Sequence, residues 1–525
     1  MASPQLFSRS LCVTSTFSEI LPASAHVENV VSVAAGSEYG EGPSDIAYPI
    51  IPTNLPGLCA VTINVTSSES SSFRFGLFLP DEWNERFLAV GNGGFAGGIN
   101  WHDMGAGVSY GFASMSTDTG HNSTAIDLSW ALNDPESQSD FGWRAMHGSI
   151  MLAKDVVAQY YSKNPEYSYY SGCSTGGRQG FKEAELFPET FDGLLVGAPA
   201  WYTAHLQPWT TKIATHNLPE SDPKHIEPAS FSIIAAEALR QCDSLDGVED
   251  GIISSPELCT LDTSKLLCGN EGVDDSACLT PEQIQTLRKI YADYKIDGEY
   301  VMSGMEVGSE AQWVVLLGSS APVPLGDGYI QYFLLNDTTW DWTQYNDSLV
   351  KLAETRDPGK LTADDYDFSA IKNKGGKVLL FHGLADAFIP PGSSRTFHSR
   401  VIQATEGPAD DFFKFFQVPG LQHCSGTAVD APWFFSGSIQ TSSITTDVRN
   451  GALLPLRDSK HDALLALMNW VENGKEVKSI ISTAWKNQTD PESGVLRERL
   501  ICPHPKKAVY DGNGDVDSTR SWNCR

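Results

Sequence analysis

Residues 167–176 read YSYYSGCSTG, an aromatic, extended run that passes directly into Gly-x-Ser-x-Gly. Gly172 and Gly176 flank Ser174, and small residues at those places permit a sharp strand-to-helix turn that lifts a serine hydroxyl above a sheet. Behind the turn, FKEAELFP at 181–188 reads as the following helix, with Pro188 near its end. Glycine-serine-glycine turns are common, and the bland alternative is a structural turn. The strand before and the helix after make Ser174 a candidate nucleophile.

A serine hydroxyl attacks poorly at neutral pH unless a base takes its proton and a third group orients that base. Downstream, the apolar run 376–381 (GKVLLF) reads as a buried strand and leads through HGLAD to Asp386. A second run, 412–418 (FFKFFQV), leads through a Pro-Gly turn to GLQHCSG and His423. Of twelve histidines, His423 alone follows the acid, follows a strand and adjoins a cysteine. His382 is the nearer rival and reads as a packing or hydrogen-bonding residue; His461 opens a helix. The order Ser174, Asp386, His423 is that of an α/β-hydrolase. The oxyanion donors expected with it are the Thr175 amide and an amide of the glycine-rich loop GNGGFAGG at 91–98, from Gly93 or Gly94. Cys173 precedes the serine and Cys424 follows the histidine, so a bond between them would staple the nucleophile loop to the base loop.

Outward from this centre, 60–67 and 72–79 alternate apolar and polar residues as half-buried strands do. Residues 87–91 and 111–116 read as further strands, 144–162 as an amphipathic helix and 191–199 (FDGLLVGAP) as a buried strand. Strands and helices in alternation argue for the α/β class, a parallel sheet with helices on both faces. The rhythm stops near residue 201. Residues 201–370 are rich in Asp, Gly, Pro and Trp, with helical pieces at 226–241 and 281–293. That is too long for a loop, and it reads as an inserted lid domain. The expected organisation is a discontinuous catalytic domain, 1–200 and 371–525, interrupted by a lid at 201–370. A last helix is expected at 461–472, stopped by Gly474.

The formal net charge of the 525 residues is −29, which repels nucleic acid and anionic membranes and excludes both as partners. No run of about 20 apolar residues offers a membrane span. The opening MASPQLFSRSLC lacks the basic and apolar regions of a secretory leader. Ten cysteines and five Asn-x-Ser/Thr sequons, at Asn64, Asn122, Asn336, Asn346 and Asn487, nevertheless point to secretion. No cysteine grouping has the close paired spacing of structural zinc.

Taken together, Cys173-Ser174, Asp386 and His423-Cys424 resemble the CS-D-HC arrangement of the fungal tannase and feruloyl esterase family, and the resemblance covers nearly the whole chain. It implies an α/β-hydrolase domain with a large lid inserted between serine and acid. It also implies a Cys173–Cys424 disulfide, with Cys12–Cys59, Cys242–Cys259, Cys268–Cys278 and Cys502–Cys524 as the other pairs. Members of that family are secreted glycoproteins that hydrolyse esters of phenolic acids. The family binds calcium in the lid; carried onto CDSLDGVEDGII at 242–253, the ligands become the carboxylates of Asp243, Asp246 and Asp250 and the carbonyls of Val248 and Ile252. The residues themselves allow this, because Ca2+ takes several oxygens from a compact glycine-containing loop, although the spacing is not that of an EF-hand. An ordinary solvated acidic turn is the alternative. The ion is expected to be structural, and no organic cofactor is expected.

For the substrate, the resemblance implies an ester of a phenolic acid, and the expectation is a hydroxycinnamate ester of plant cell-wall material, making the chain a feruloyl esterase. Tannase, a catalytically inactive binding glycoprotein and a peptidase are the alternatives. Trp201, Trp209, Trp313, Tyr329, Tyr332, Trp340, Trp342 and Tyr345 of the insertion are candidates for an aromatic acyl pocket or for lid core. Whether the chain is a monomer or a homodimer stays open.

Overall fold

The structure is a computed structural model that describes residues 11–435, 437–448 and 456–525. The opening residues MASPQLFSRS, part of the stretch read for leader features, lie outside the described residues. Nine strands form one sheet: β1 Ala25–Val33, β2 Leu58–Thr66, β3 Ser72–Pro80, β4 Arg86–Val90, β5 Ala113–Thr117, β6 Tyr167–Cys173, β7 Gly193–Gly197, β8 Lys377–Gly383 and β9 Phe413–Val418. Their spatial order is β1-β2-β3-β5-β4-β6-β7-β8-β9. From β5 to β9 every neighbouring pair is parallel. The expectation of a parallel sheet holds there and fails at the other edge, where β1, β2, β3 and β5 pair antiparallel. The reason is local. Only residues 67–71 join β2 to β3, too few for the crossover that a parallel pair needs, so the two strands close as a hairpin.

Side-chain alternation sorts the strands' apolar residues to the two faces. Phe75, Leu77, Phe87 and Ala89 pack on one face with Phe181 and Phe397 from the helices Thr175–Leu186 and Pro391–Ala404. Phe78, Leu88 and Val90 pack on the other with Trp101 and Leu467 from the helices Trp101–Val108 and Ala463–Asn473. The structure thus has the α/β-hydrolase architecture, a central mixed sheet covered by helices on both faces.

Between β7 and β8 the chain leaves the sheet. The helices Thr203–Asn217, Phe231–Cys242 and Pro281–Tyr291 contribute to a separate core with Trp209 and Trp313. A further core joins Tyr329, Phe333 and Trp340 to Phe95 and Phe141 of the sheet domain. Trp201, Ala363, Phe368 and Ile371 pack in the sheet's own core instead. The ten cysteines form Cys12–Cys59, Cys173–Cys424, Cys242–Cys259, Cys268–Cys278 and Cys502–Cys524. No helix among the described residues is long and apolar enough to cross a membrane.

Candidate active site

Ser174 stands between β6 and the helix Thr175–Leu186 with φ 61° and ψ −123°, a conformation that side-chain-bearing residues adopt only under constraint. The constraint is visible in the glycines. A β-carbon added at Gly91 would lie 2.5 Å from the Gly176 Cα, so the loop after β4 and the turn around Ser174 touch backbone to backbone. The Ser174 amide donates to the Gly197 carbonyl at the end of β7 (3.0 Å). The turn is therefore held from both neighbouring strands.

Asp386 follows β8, and His423 follows β9. Both stand beyond the carboxyl ends of parallel strands, where open α/β sheets place their ligands. The His423 Nδ1–H donates to Asp386 Oδ2 at 2.7 Å, which leaves Nε2 with its lone pair and fits it to act as a base. Asp386 is fully buried. Its Oδ1 accepts from the amides of Phe388 (2.8 Å) and Ile389 (3.0 Å), and its Oδ2 also accepts from His382 Nε2 (3.1 Å). Burial alone would raise this carboxyl, but the charge of His423 and the hydrogen bonds from His382 and His423 outweigh it and hold the group well below the usual carboxylate range. His382 is itself fixed through Ser394 Oγ (2.7 Å) and the Ile389 carbonyl (2.8 Å), so it supports the acid from behind. Phe388 stacks on the His423 ring with centroids 5.1 Å apart. His461 lies elsewhere, paired with Asp458 at 3.0 Å.

Thr175 is the first residue of its helix, so its amide has no acceptor within the helix and is available to an anion at Ser174. Of the two glycines named for the second donor, Gly93 already gives its amide to the Tyr48 hydroxyl (2.8 Å), whereas Gly94, at φ 55°, lines the cavity beside Ser174. Gly94 is accordingly the better candidate. The loop is locked to the nucleophile helix by a pair that sequence reasoning missed. Gln179 Oε1 accepts from the Asn92 amide (2.9 Å), and its Nε2 donates to Asn92 Oδ1 (3.1 Å). Asn92 Nδ2 donates in turn to the carbonyls of Gly98 and Thr117. The signal available was an amide residue inside a glycine-rich loop, and nothing in the sequence named its partner.

Two cavities meet at Ser174 and His423. One is an open cleft of about 690 Å3 that runs past Tyr48, Asn100, Asp103 and Ser442. The other is a tight arm of about 40 Å3 toward the lid, walled by Phe95, Leu206, Leu316, Leu325, Phe388 and Ile389. Gly94, Leu325 and Phe388 line both. The large aromatic residues named for this role line neither. Trp201, Trp209, Trp313, Tyr329 and Trp340 are buried in hydrophobic cores, and Tyr332, Trp342 and Tyr345 pack against the lid core. Phe95, Phe388 and Tyr48 are the aromatic rings at the site.

In the acidic loop, Asp243 accepts from the amides of Asp250, Gly251 and Ile252, and Asp250 Oδ2 pairs with Arg499 at 2.9 Å. Asp246 Oδ1 accepts from the Val248 amide, while its Oδ2 is buried without a hydrogen-bond partner. Burial raises the Asp246 carboxyl, and the neighbouring Asp250 charge adds to it. Among the described residues no three carboxylate, imidazole or thiolate groups are gathered as a metal-ligating set. Their donor chemistry still fits a hard cation, because the loop is oxygen-rich and the Asp246 oxygen is unsatisfied. Of the sequons, Asn122, Asn336, Asn346 and Asn487 are exposed, whereas Asn64 is half-buried on β2 with its amide on Glu28 (3.1 Å).

The chain matches the family model described as tannase and feruloyl esterase over residues 59–321 and 326–525. It is 31% identical over 498 residues to a probable feruloyl esterase B-1 of Aspergillus flavus, covering 93% of this chain and 91% of that one. A probable feruloyl esterase B-1 of Neosartorya fischeri is 33% identical over 470 residues, 89% of this chain and 86% of the relative. The crystal structure of feruloyl esterase B from Aspergillus oryzae superposes with a TM-score of 0.87 at 30% identity and full coverage of both chains. A tannin acyl hydrolase from Aspergillus niger superposes at 0.74 with 20% identity over 98% of this chain and 95% of its own, a likeness of fold alone.

Proposed function

The chain belongs to the tannase and feruloyl esterase family and is a hydrolase of the esterase type; on that premise we propose that it is a secreted feruloyl esterase with Ser174, His423 and Asp386 as its triad. His423 Nε2 takes the Ser174 proton as Oγ bonds to the ester carbonyl carbon. The carbonyl oxygen becomes an oxyanion facing the Thr175 and Gly94 amides. Collapse breaks the bond to the alcohol oxygen, which receives the proton from His423. Water then attacks the acyl-enzyme with His423 again as base, the acid is released and Ser174 recovers its proton. Asp386 stays ionised and stabilises the imidazolium between proton transfers.

The tight arm beside Ser174 is the observation that carries hydroxycinnamate over gallate. Its walls are aliphatic and aromatic, with Gln207 and Thr210 as the polar residues on the lid side. The Thr210 hydroxyl already donates to the Leu206 carbonyl (2.8 Å). Three ring hydroxyls of a gallate would need several convergent partners there, whereas a ferulate presents one hydroxyl and a methoxy group. Parallel kcat/KM measurements on methyl ferulate, methyl p-coumarate, methyl caffeate and methyl gallate test this. The cinnamates are expected to lead, and a clear preference for gallate with little cinnamate turnover would reverse the reading to tannase. A folded protein that turns over none of the four would favour the binding glycoprotein.

Secretion is supported by the five disulfides, by the four exposed sequons and by the family. We also propose that Asp243, Asp246 and Asp250, with the carbonyls of Val248 and Ile252, hold Ca2+ when it is bound. The ion would offset the charge on the buried Asp246 oxygen and brace the lid beside Cys242–Cys259.

A further inference from the structure

Gln207 lies on the lid helix Thr203–Asn217, is 5% exposed, and lines the tight arm that opens beside Ser174 and His423. Its Oε1 is buried and has no hydrogen-bond partner. An unpaired buried amide oxygen is costly, and such an atom in a native interior calls for an explanation. Here the surroundings narrow the explanation. Neighbouring positions on the helix are committed elsewhere: Thr203 Oγ1 donates to the Ala200 carbonyl, Thr210 Oγ1 to the Leu206 carbonyl, and His205 contacts Val301 and Glu354. Apart from Thr210 and the site residues Ser174, Thr175 and His423, the rest of the arm's wall is apolar. The helix is buried along this stretch, with Leu206, Trp209 and Thr211 all enclosed, so the carboxamide has little room to turn away.

We propose that the Gln207 carboxamide is the specificity-determining group for the acyl half of the ester, accepting a hydrogen bond from the phenolic hydroxyl at the far end of a hydroxycinnamoyl group. The inference rests on the feruloyl esterase reading. In it the aromatic ring lies beside Gly94, Leu325 and Phe388, which with Ser174 and His423 line both cavities, and its distal substituent enters the arm. A free volume of about 40 Å3 suits a substituent and ring edge rather than a whole ring. A site built to pair a substrate hydroxyl discriminates against the analogue that lacks it, because the buried acceptor is then left unsatisfied. The preferred acyl group is therefore a free 4-hydroxycinnamate. A 4-methoxy ring or an unsubstituted ring cannot donate to Oε1.

The test is kcat/KM for methyl p-coumarate, methyl 4-methoxycinnamate and methyl cinnamate with the wild type and with Gln207→Leu and Gln207→Glu. The wild type is expected to favour p-coumarate over 4-methoxycinnamate by at least tenfold. Gln207→Leu should lose ten- to a hundredfold on p-coumarate and keep its rate on methyl cinnamate within about threefold. Gln207→Glu, which retains an acceptor, should recover part of the p-coumarate preference. Retained cinnamate turnover shows that the triad and fold survive, and a merely structural role would depress both substrates alike. Should Gln207→Leu fail to fold, the wild-type preference still decides: equal rates on the hydroxy and methoxy esters would overturn the role of Gln207 and leave the esterase reading standing. Absence of turnover on any cinnamate would overturn both.

Discussion

Asp386 carries the heaviest electrostatic load in the site. It is wholly buried, yet four donors and a histidine charge keep it ionised. Replacing it with Asn removes the charge and offers the Nδ1 side of His423 a different partner, which turns the imidazole to the wrong tautomer. The expected loss in kcat is on the order of a thousand- to ten-thousandfold with the fold intact, measured on methyl ferulate. Its lowered carboxyl also gives a signed dependence of stability on pH. A group whose folded pKa lies below its unfolded value stabilises above the unfolded pKa, near 4, and that contribution disappears as pH falls through the folded value. The Tm difference between wild type and Asp386→Asn should shrink as pH falls below about pH 4. A difference independent of pH down to pH 2 would contradict this.

Among the elements, the loop after β4 and the helix after Ser174 act as one unit. Gly91 and Gly176 let their backbones meet, and Gln179 with Asn92 supplies two hydrogen bonds across the contact. Both residues are about 2% exposed, so no water replaces a lost partner cheaply. Gln179→Leu strands the Asn92 amide and carbonyl oxygen and should cost about 2–4 kcal/mol in denaturant unfolding. Because this loop carries Gly94, kcat should fall at least tenfold while KM changes little. A stable variant with normal kcat would show that the loop is positioned by the glycine contact alone. The Cys173–Cys424 bond ties the same helix start to the histidine loop, across 251 residues of sequence, so two independent devices set the geometry around Ser174.

At the scale of the molecule, a chain with net charge −29 gathers carboxylates faster than it can pair them. The loop at 242–253 is an acute case, because Asp250 is served by Arg499 while Asp246 keeps an unpaired buried oxygen. If the proposed Ca2+ is bound there, EGTA is expected to lower Tm by several degrees, with restoration by Ca2+ but not by Mg2+, which demands a tighter octahedral site. Unchanged Tm and less than one equivalent of tightly held metal by elemental analysis would count against the ion. Triad chemistry lies outside this loop, so activity below the shifted Tm should survive chelation.

Alternating and continuous apolar runs and a sharp glycine turn were legible because they are local. They marked eight of the nine sheet strands, the nucleophile turn and the strand ends that carry Asp386 and His423. The unread strand, β1, is the edge: its exposure alternates weakly along AHVENVVSV, so its composition carries little contrast. Sequence alone also showed where the sheet rhythm stops, since a change of composition needs no partner to be seen. Pairing was another matter. The pairing of β3 with β5, the Gln179–Asn92 lock, the Tyr48 hydroxyl on Gly93 and the burial of the lid tryptophans all depend on residues distant in the chain. A side chain's role is decided by what faces it, and for Gln207 that is a cavity wall assembled from 95, 206, 316, 325, 388 and 389. Only the closed tertiary structure brings those positions together, and so only it distinguishes an amide that faces solvent from one left unpaired beside the nucleophile.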